Sequence, residues 1–161
     1  NVARQVDDYL SYAEPQPDEV VVLDLEGYRS KDMTIQEAVQ FAELLKSRIG
    51  RYPVLYLPKN MATHIPHELA GIVSQMPLWY ARLANTPEGI PSNIWPEGYT
   101  LWQFATEHRP VYSVPGTDRY IDVSQSPLPP EVLRRAWPFT RSDGATSIPP
   151  PHRSDVACTN L

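Results

Sequence analysis

Two carboxylates close the most apolar strand in this sequence. Val20 to Gly27 reads VVVLDLEG, which sets Asp24 and Glu26 two residues apart at its end. Side chains alternate along a strand, so both acids share a face with Val20 and Val22, roughly 7 Å apart along the chain. Repulsion between them, added to partial burial, raises the pKa of one and keeps it protonated as a general acid. The other stays charged and can support a cationic transition state, the division of labour that glycosidic cleavage needs. D-x-E is a short and common string, however. By spacing alone, an ordinary ion pair or a cap for the next helix accounts for it slightly better.

The companions shift that balance. Four further strand-like runs follow: PVLYLP at 53–58, PLWYARL at 77–83, TLWQFAT at 100–106 and RYIDVS at 119–124. Each places aromatic or polar side chains near its end: Tyr56, then Trp79 and Tyr80, then Trp102 and Gln103, then Tyr120 and Asp122. Aromatic faces stack on sugar rings, while amides, hydroxyls and carboxylates bond their hydroxyl and acetamido groups. For any one aromatic, core packing is the commoner role. Their recurrence at successive strand ends predicts that some line a cleft.

The elements that must position these residues are legible. Thr34 and Glu37 fit a capping box, and Ile35, Ala38, Val39, Ala42, Leu45 and Ile49 fall on one helical face before Gly50. Leu69, Ile72, Val73 and Met76 make a shorter stripe, predicting a helix from Pro66 to Gln75. Residues 2–13 predict a helix ahead of the first strand. Strand, helix, strand, helix, strand implies two right-handed crossovers and parallel strands. Residues 84–99 and 107–116 carry prolines and glycines without helical period, so loops join the last three strands. The class is α/β with a helix-poor end.

Composition narrows the function. The 161 residues suffice for one domain with a sizeable core. A net charge of −5 without a Lys/Arg run argues against nucleic acid as a partner. No apolar run is long enough to predict a membrane span. Cys158 is the only cysteine, so neither an intrachain disulfide nor a cysteine-based zinc site is available. His64 and His67 are three apart without a third ligand and read as surface residues. No glycine loop for phosphate and no serine nucleophile elbow is present. The 18 prolines are about double the usual share of roughly 5%. Residues 141–161 mix Ser, Pro and charge without apolar periodicity, predicting an extended tail beyond a unit at 1–140.

Taken in order, VVVLDLEG, RYPVLYLPKN, PLWYARL, YTLWQFAT and YIDVSQSP resemble the glycoside hydrolase family 25 lysozymes, N-acetylmuramidases that cut the peptidoglycan glycan. The resemblance covers about residues 1–138. It implies an irregular TIM-like (β/α)5(β)3 barrel, of which this chain supplies the last five strands. It implies that Glu26 is the general acid, Asp24 the neighbouring carboxylate that orients the acetamido group or stabilises positive charge, and Asp122 the acid of the final strand. Tyr56, Trp79, Tyr80, Trp102 and Gln103 are the expected substrate-binding residues. Leu83 departs from the family, which usually carries an aromatic there. No cofactor or metal is implied, and the substrate would be peptidoglycan strands outside the cell, in the periplasm or at the cell wall. Asn1 in place of methionine, with fewer than the 200 residues of a complete barrel, predicts that an N-terminal segment or a second chain completes it. The alternatives are a non-catalytic glycan-binding module or degenerate half-barrel, and another barrel glycosidase such as a chitinase-like enzyme.

Overall fold

The computed structural model describes residues 1–27, 32–106, 109, 115–116 and 121–140. The tail expected at 141–161 lies outside the described residues, as does Tyr120.

Helix α1, Val2–Ala13, is capped by the Asn1 side chain, which accepts from the backbone N–H groups of Ala3 and Arg4. It buries Val2 and Val6 and sets Tyr9 edge-on to Phe41 of α2, Ile35–Ile49. The capping box forms as expected: Glu37 accepts from the Thr34 N–H at 2.9 Å and donates its own backbone N–H to the Thr34 hydroxyl at 3.2 Å. Gly50 ends α2 at φ 78°, a conformation a side chain would strain. Ala38, Val39, Ala42 and Leu45 are buried on the expected face, with Phe41 beside them. Burying a leucine or valine contributes about 1.5–3 kcal/mol. The exposed Arg48–Asp7 and Arg4–Asp8 pairs contribute about 0–1 kcal/mol each. Apolar burial therefore holds α1 and α2 in place.

The five strands are β1 Val22–Asp24, β2 Val54–Pro58, β3 Leu78–Ala81, β4 Leu101–Ala105 and β5 Val123–Gln125, in the order β1-β2-β3-β4-β5. The first four are parallel, and β5 returns antiparallel to β4 with an irregularity between Gln103 and Ala105. The fold is thus α/β with a mixed sheet. Strands β1 and β5 are shorter than the sequence predicts, so Glu26 and Asp122 flank strands instead of lying within them.

The helix expected at 66–75 is broken into a 3-10 turn, His67–Leu69, and a single α-turn, α4, Ala70–Val73, after the short α3, Lys59–Ala62. Pro66 supplies no N–H, and Gly71 weakens the helix by about 1 kcal/mol relative to alanine. A last helix, α5, Pro130–Ala136, emerges from the proline-rich run. Proline is tolerated in a first turn, and Glu131 with Arg134 and Arg135 complements the helix dipole.

The two sheet faces bury different sets. Leu23, Leu25, Leu55, Leu57, Leu78, Tyr80 and Trp102 join the helices in the main core. The other face carries Val22, Val54, Trp79 and Leu101 at its lower end, closed by Ala136 and Phe139. No helix among the described residues is long and apolar enough to cross a membrane.

Candidate active site

Asp24 is the last residue of β1 and pairs in register with Tyr56. The Leu25 N–H still donates to the Tyr56 carbonyl at 3.1 Å, so the chain stays extended and Glu26 continues on the face of Asp24. Gly27 then turns the backbone at φ 68°, and a Cβ there would stand 2.8 Å from the Met61 sulfur. The positive φ favours glycine directly after the second acid, whereas the flexible Met61 side chain could move aside for a Cβ.

The electrostatics separate these acids from ordinary surface carboxylates. Glu26 is half-buried, and loss of hydration raises its pKa first, followed by the negative charges of Asp24, Asp32 and Asp122. Burial alone raises Asp24, although much of its surface meets solvent. Glu37, by contrast, lies below the ordinary glutamate value, because the Thr34 backbone and hydroxyl bond its charged form. The folded chain thus holds the protons of Asp24 and Glu26 more tightly than the unfolded chain does. Their ionisation costs stability as pH rises from the unfolded values through the raised ones, and acidification relieves that cost. A carboxyl-carbon NMR titration is expected to place the Glu26 midpoint above that of Glu37. The reverse order would refute this account of the Glu26 environment.

Asp122 comes from the opposite edge of the sheet. Across a flat sheet, β1 and β5 lie roughly 19 Å apart, four strand spacings, beyond a Debye length of about 8 Å. The charge of Asp122 bears on Glu26 nonetheless, which agrees with a sheet that curls toward this face. Two side-chain bonds follow the same curl, each passing over a strand. Tyr56 on β2 donates its hydroxyl to Gln103 Oε1 on β4, and Trp79 Nε1 on β3 donates to Ser124 Oγ on β5 at 3.0 Å. Tyr56 and Trp79 also meet edge to face, centroids 5.6 Å apart at 86°.

Asp24, Glu26, Tyr56, Trp79 and Gln103 therefore gather on one concave face, with Asp122 at its far rim. Tyr80 and Trp102 do not join them, contrary to expectation. Each neighbours a residue of the concave face in sequence, so strand alternation turns it to the helix side. Tyr80 is fully buried and donates to the Glu88 carbonyl at 2.8 Å; Trp102 is buried and donates to the Arg82 carbonyl at 2.9 Å. Asp32 and Ser124 are the residues that sequence reasoning missed. Asp32 has no local signal, whereas Ser124 sits two residues after Asp122 and the period of two could have found it. His64 Nδ1 lies 2.6 Å from the Asn60 carbonyl, and no group of three metal-ligating side chains occurs among the described residues.

The structure defines an α/β protein with a curled mixed sheet and an acidic, aromatic-lined face at the ends of its parallel strands. The chain belongs to glycosyl hydrolases family 25, whose pattern matches residues 1–112. Asp122 lies beyond that match. The fold is similar to a lysozyme of the same family from Aspergillus fumigatus, at TM-score 0.61 and 18% identity over 83% of this chain and 65% of that one. It is also similar to a muramidase from Acremonium alcalophilum, at TM-score 0.57, 18% identity and the same coverage. A bacterial lysozyme from Streptomyces coelicolor gives TM-score 0.56 and 18% identity, over 83% of this chain and 64% of that one. The chain thus spans about 65% of the length of these solved relatives. No curated protein sequence matches it.

Proposed function

We propose that this chain is the catalytic part of a muramidase that hydrolyses β-1,4 bonds between N-acetylmuramic acid and N-acetylglucosamine in peptidoglycan. The single observation that carries the reading is Glu26: a half-buried carboxyl raised by burial and by the charge of Asp24 beside it, on a face lined by Tyr56, Trp79 and Gln103. A carboxyl that keeps its proton to higher pH can give it to the glycosidic oxygen. As the bond breaks, positive charge grows on the sugar ring. Asp24 is placed to stabilise that charge or to orient the acetamido group, while Asp122 stands at the opposite rim. Glu26 then takes a proton from the incoming water. The work site is peptidoglycan outside the cell or at its wall, and family membership supports this substrate class.

In the same reading, β1 to β5 are five strands of an irregular barrel, residues 1–140 are the catalytic unit and 141–161 a tail. The curl of the sheet supports closure. So does the outer edge of β1, which pairs with no strand among the described residues and along which an N-terminal segment or a second chain would pair. The test is incubation with purified peptidoglycan. Release of new reducing ends is the expected result. Sedimentation with the glycan and no released ends would replace catalysis with binding.

A further inference from the structure

We infer that Ser124 is a positioning residue that fixes the indole of Trp79 against the sugar-binding face, and with it the pose of the ring that stacks there. The inference rests on the muramidase reading only for the class of ligand, an N-acetylhexosamine oligosaccharide.

The geometry holds Trp79 from two sides. On one, Tyr56 presents its ring nearly perpendicular to the indole, and Tyr56 is itself tied to the buried Gln103. On the other, the Ser124 hydroxyl accepts from Nε1–H. A tryptophan has two free side-chain torsions; packing on the Val54, Ala136 and Phe139 cluster seats the ring, and the edge contact and the hydrogen bond set the plane of the indole. Aromatic edge pairs contribute about 0.5–1.5 kcal/mol, and a neutral hydrogen bond about the same.

Ser124 is suited to this role for a second reason. Because it accepts from Trp79, its own hydroxyl hydrogen is directed away from the indole and can donate to an oxygen of the ligand. It sits at an exposed position on β5, paired in register with Gln103 and so on the face of Gln103, two residues past Asp122. A sugar lying on Trp79 would therefore meet a donor on the strand that also carries the rim carboxylate. The bond spans 45 residues of sequence and passes over β4, so it joins two strands that do not pair.

The experiment compares wild type, Ser124→Ala, Ser124→Thr, Trp79→Phe and the Ser124→Ala/Trp79→Phe double variant in the full chain. Initial rates of reducing-end release are measured against the concentration of soluble peptidoglycan glycan fragments. Ser124→Ala is expected to raise KM about three- to tenfold, the effect of one hydrogen bond, with kcat changed less than about twofold. Ser124→Thr, which keeps the hydroxyl, is expected to restore the wild-type KM. In the Trp79→Phe background, Ser124→Ala is expected to add little, since the partner N–H is gone. An unchanged KM in Ser124→Ala, a failure of threonine to rescue, or full additivity would overturn the inference. If wild type releases no reducing ends, the muramidase reading fails. The same variants are then compared by tryptophan-fluorescence titration with chitotetraose, where an equal affinity of wild type and Ser124→Ala, or no binding by wild type, sinks the Ser124 assignment as well.

Discussion

Glu26→Gln is expected to lower kcat on peptidoglycan by about 10²- to 10⁴-fold, the usual contribution of a positioned general acid. Glutamine has the shape of a protonated glutamate but no acidic proton to give the leaving oxygen. The substitution also removes the carboxylate that Asp24, Asp32 and Asp122 repel, so the fold is not expected to weaken. Loss of rate with an unchanged or higher melting temperature is therefore the signature of chemistry and not of unfolding. The wild-type pH profile carries the same information. Activity should fall on the alkaline side as Glu26 loses its proton, at a pH above that of an ordinary glutamate, and on the acid side as Asp24 gains one. A variant that retains more than about a tenth of the wild-type rate would remove Glu26 from the acid role, since even the low end of that range is a hundredfold.

The second large effect is on stability. Phe139→Ala is expected to cost about 3–5 kcal/mol, read as a lower urea midpoint at unchanged slope. Phe139 is 1% exposed and closes the lower end of the concave face with Val54 and Ala136, while Val22, Trp79 and Leu101 pack around them. Trp137 stacks edge-on against it at 5.3 Å and anchors the segment by donating its indole N–H to the Asp18 carbonyl at 2.8 Å. Alanine leaves a cavity the size of a ring in a cluster with few other members to collapse into it. Nor does it relax the backbone, because Phe139 lies at φ 70° and alanine is strained there too. Tyr12→Ala serves as the contrast. Tyr12 is 91% exposed, and its loss should change stability by no more than about 0.5 kcal/mol. A Phe139→Ala cost below about 1 kcal/mol would show that the C-terminal segment does not hold the sheet.

Local chemistry was readable wherever it is complete within a few residues. The Thr34–Glu37 capping box, the α2 face and its Gly50 stop depend only on contacts within one helix, and they stand where the spacing puts them. Helix α5 was hidden because prolines at 127, 129, 130 and 138 read as loop signals, although Pro130 occupies the one part of a helix that tolerates it. The broken helix at 67–73 is the opposite case. An apolar stripe was present, but proline and glycine left too little of it to propagate.

The aromatic pairs mark where spacing stops being informative. Trp79-Tyr80 and Trp102-Gln103 are neighbours in sequence, and alternation guarantees that only one of each can face the carboxylates. It does not say which. That choice was made by register, because Tyr56 pairs with Trp79 and Ala81 with Gln103, and by the helices that cover the other face. By itself the sequence determined that Asp24 and Glu26 share a face, since a strand's period is a property of the local chain. Only the tertiary structure decided that Tyr56, Trp79 and Gln103 stand with those acids, that Asp122 reaches them from the far edge, and that Ser124 holds the indole between. Those relations depend on the curl of five strands, and curvature is a property of packed layers that no single strand encodes.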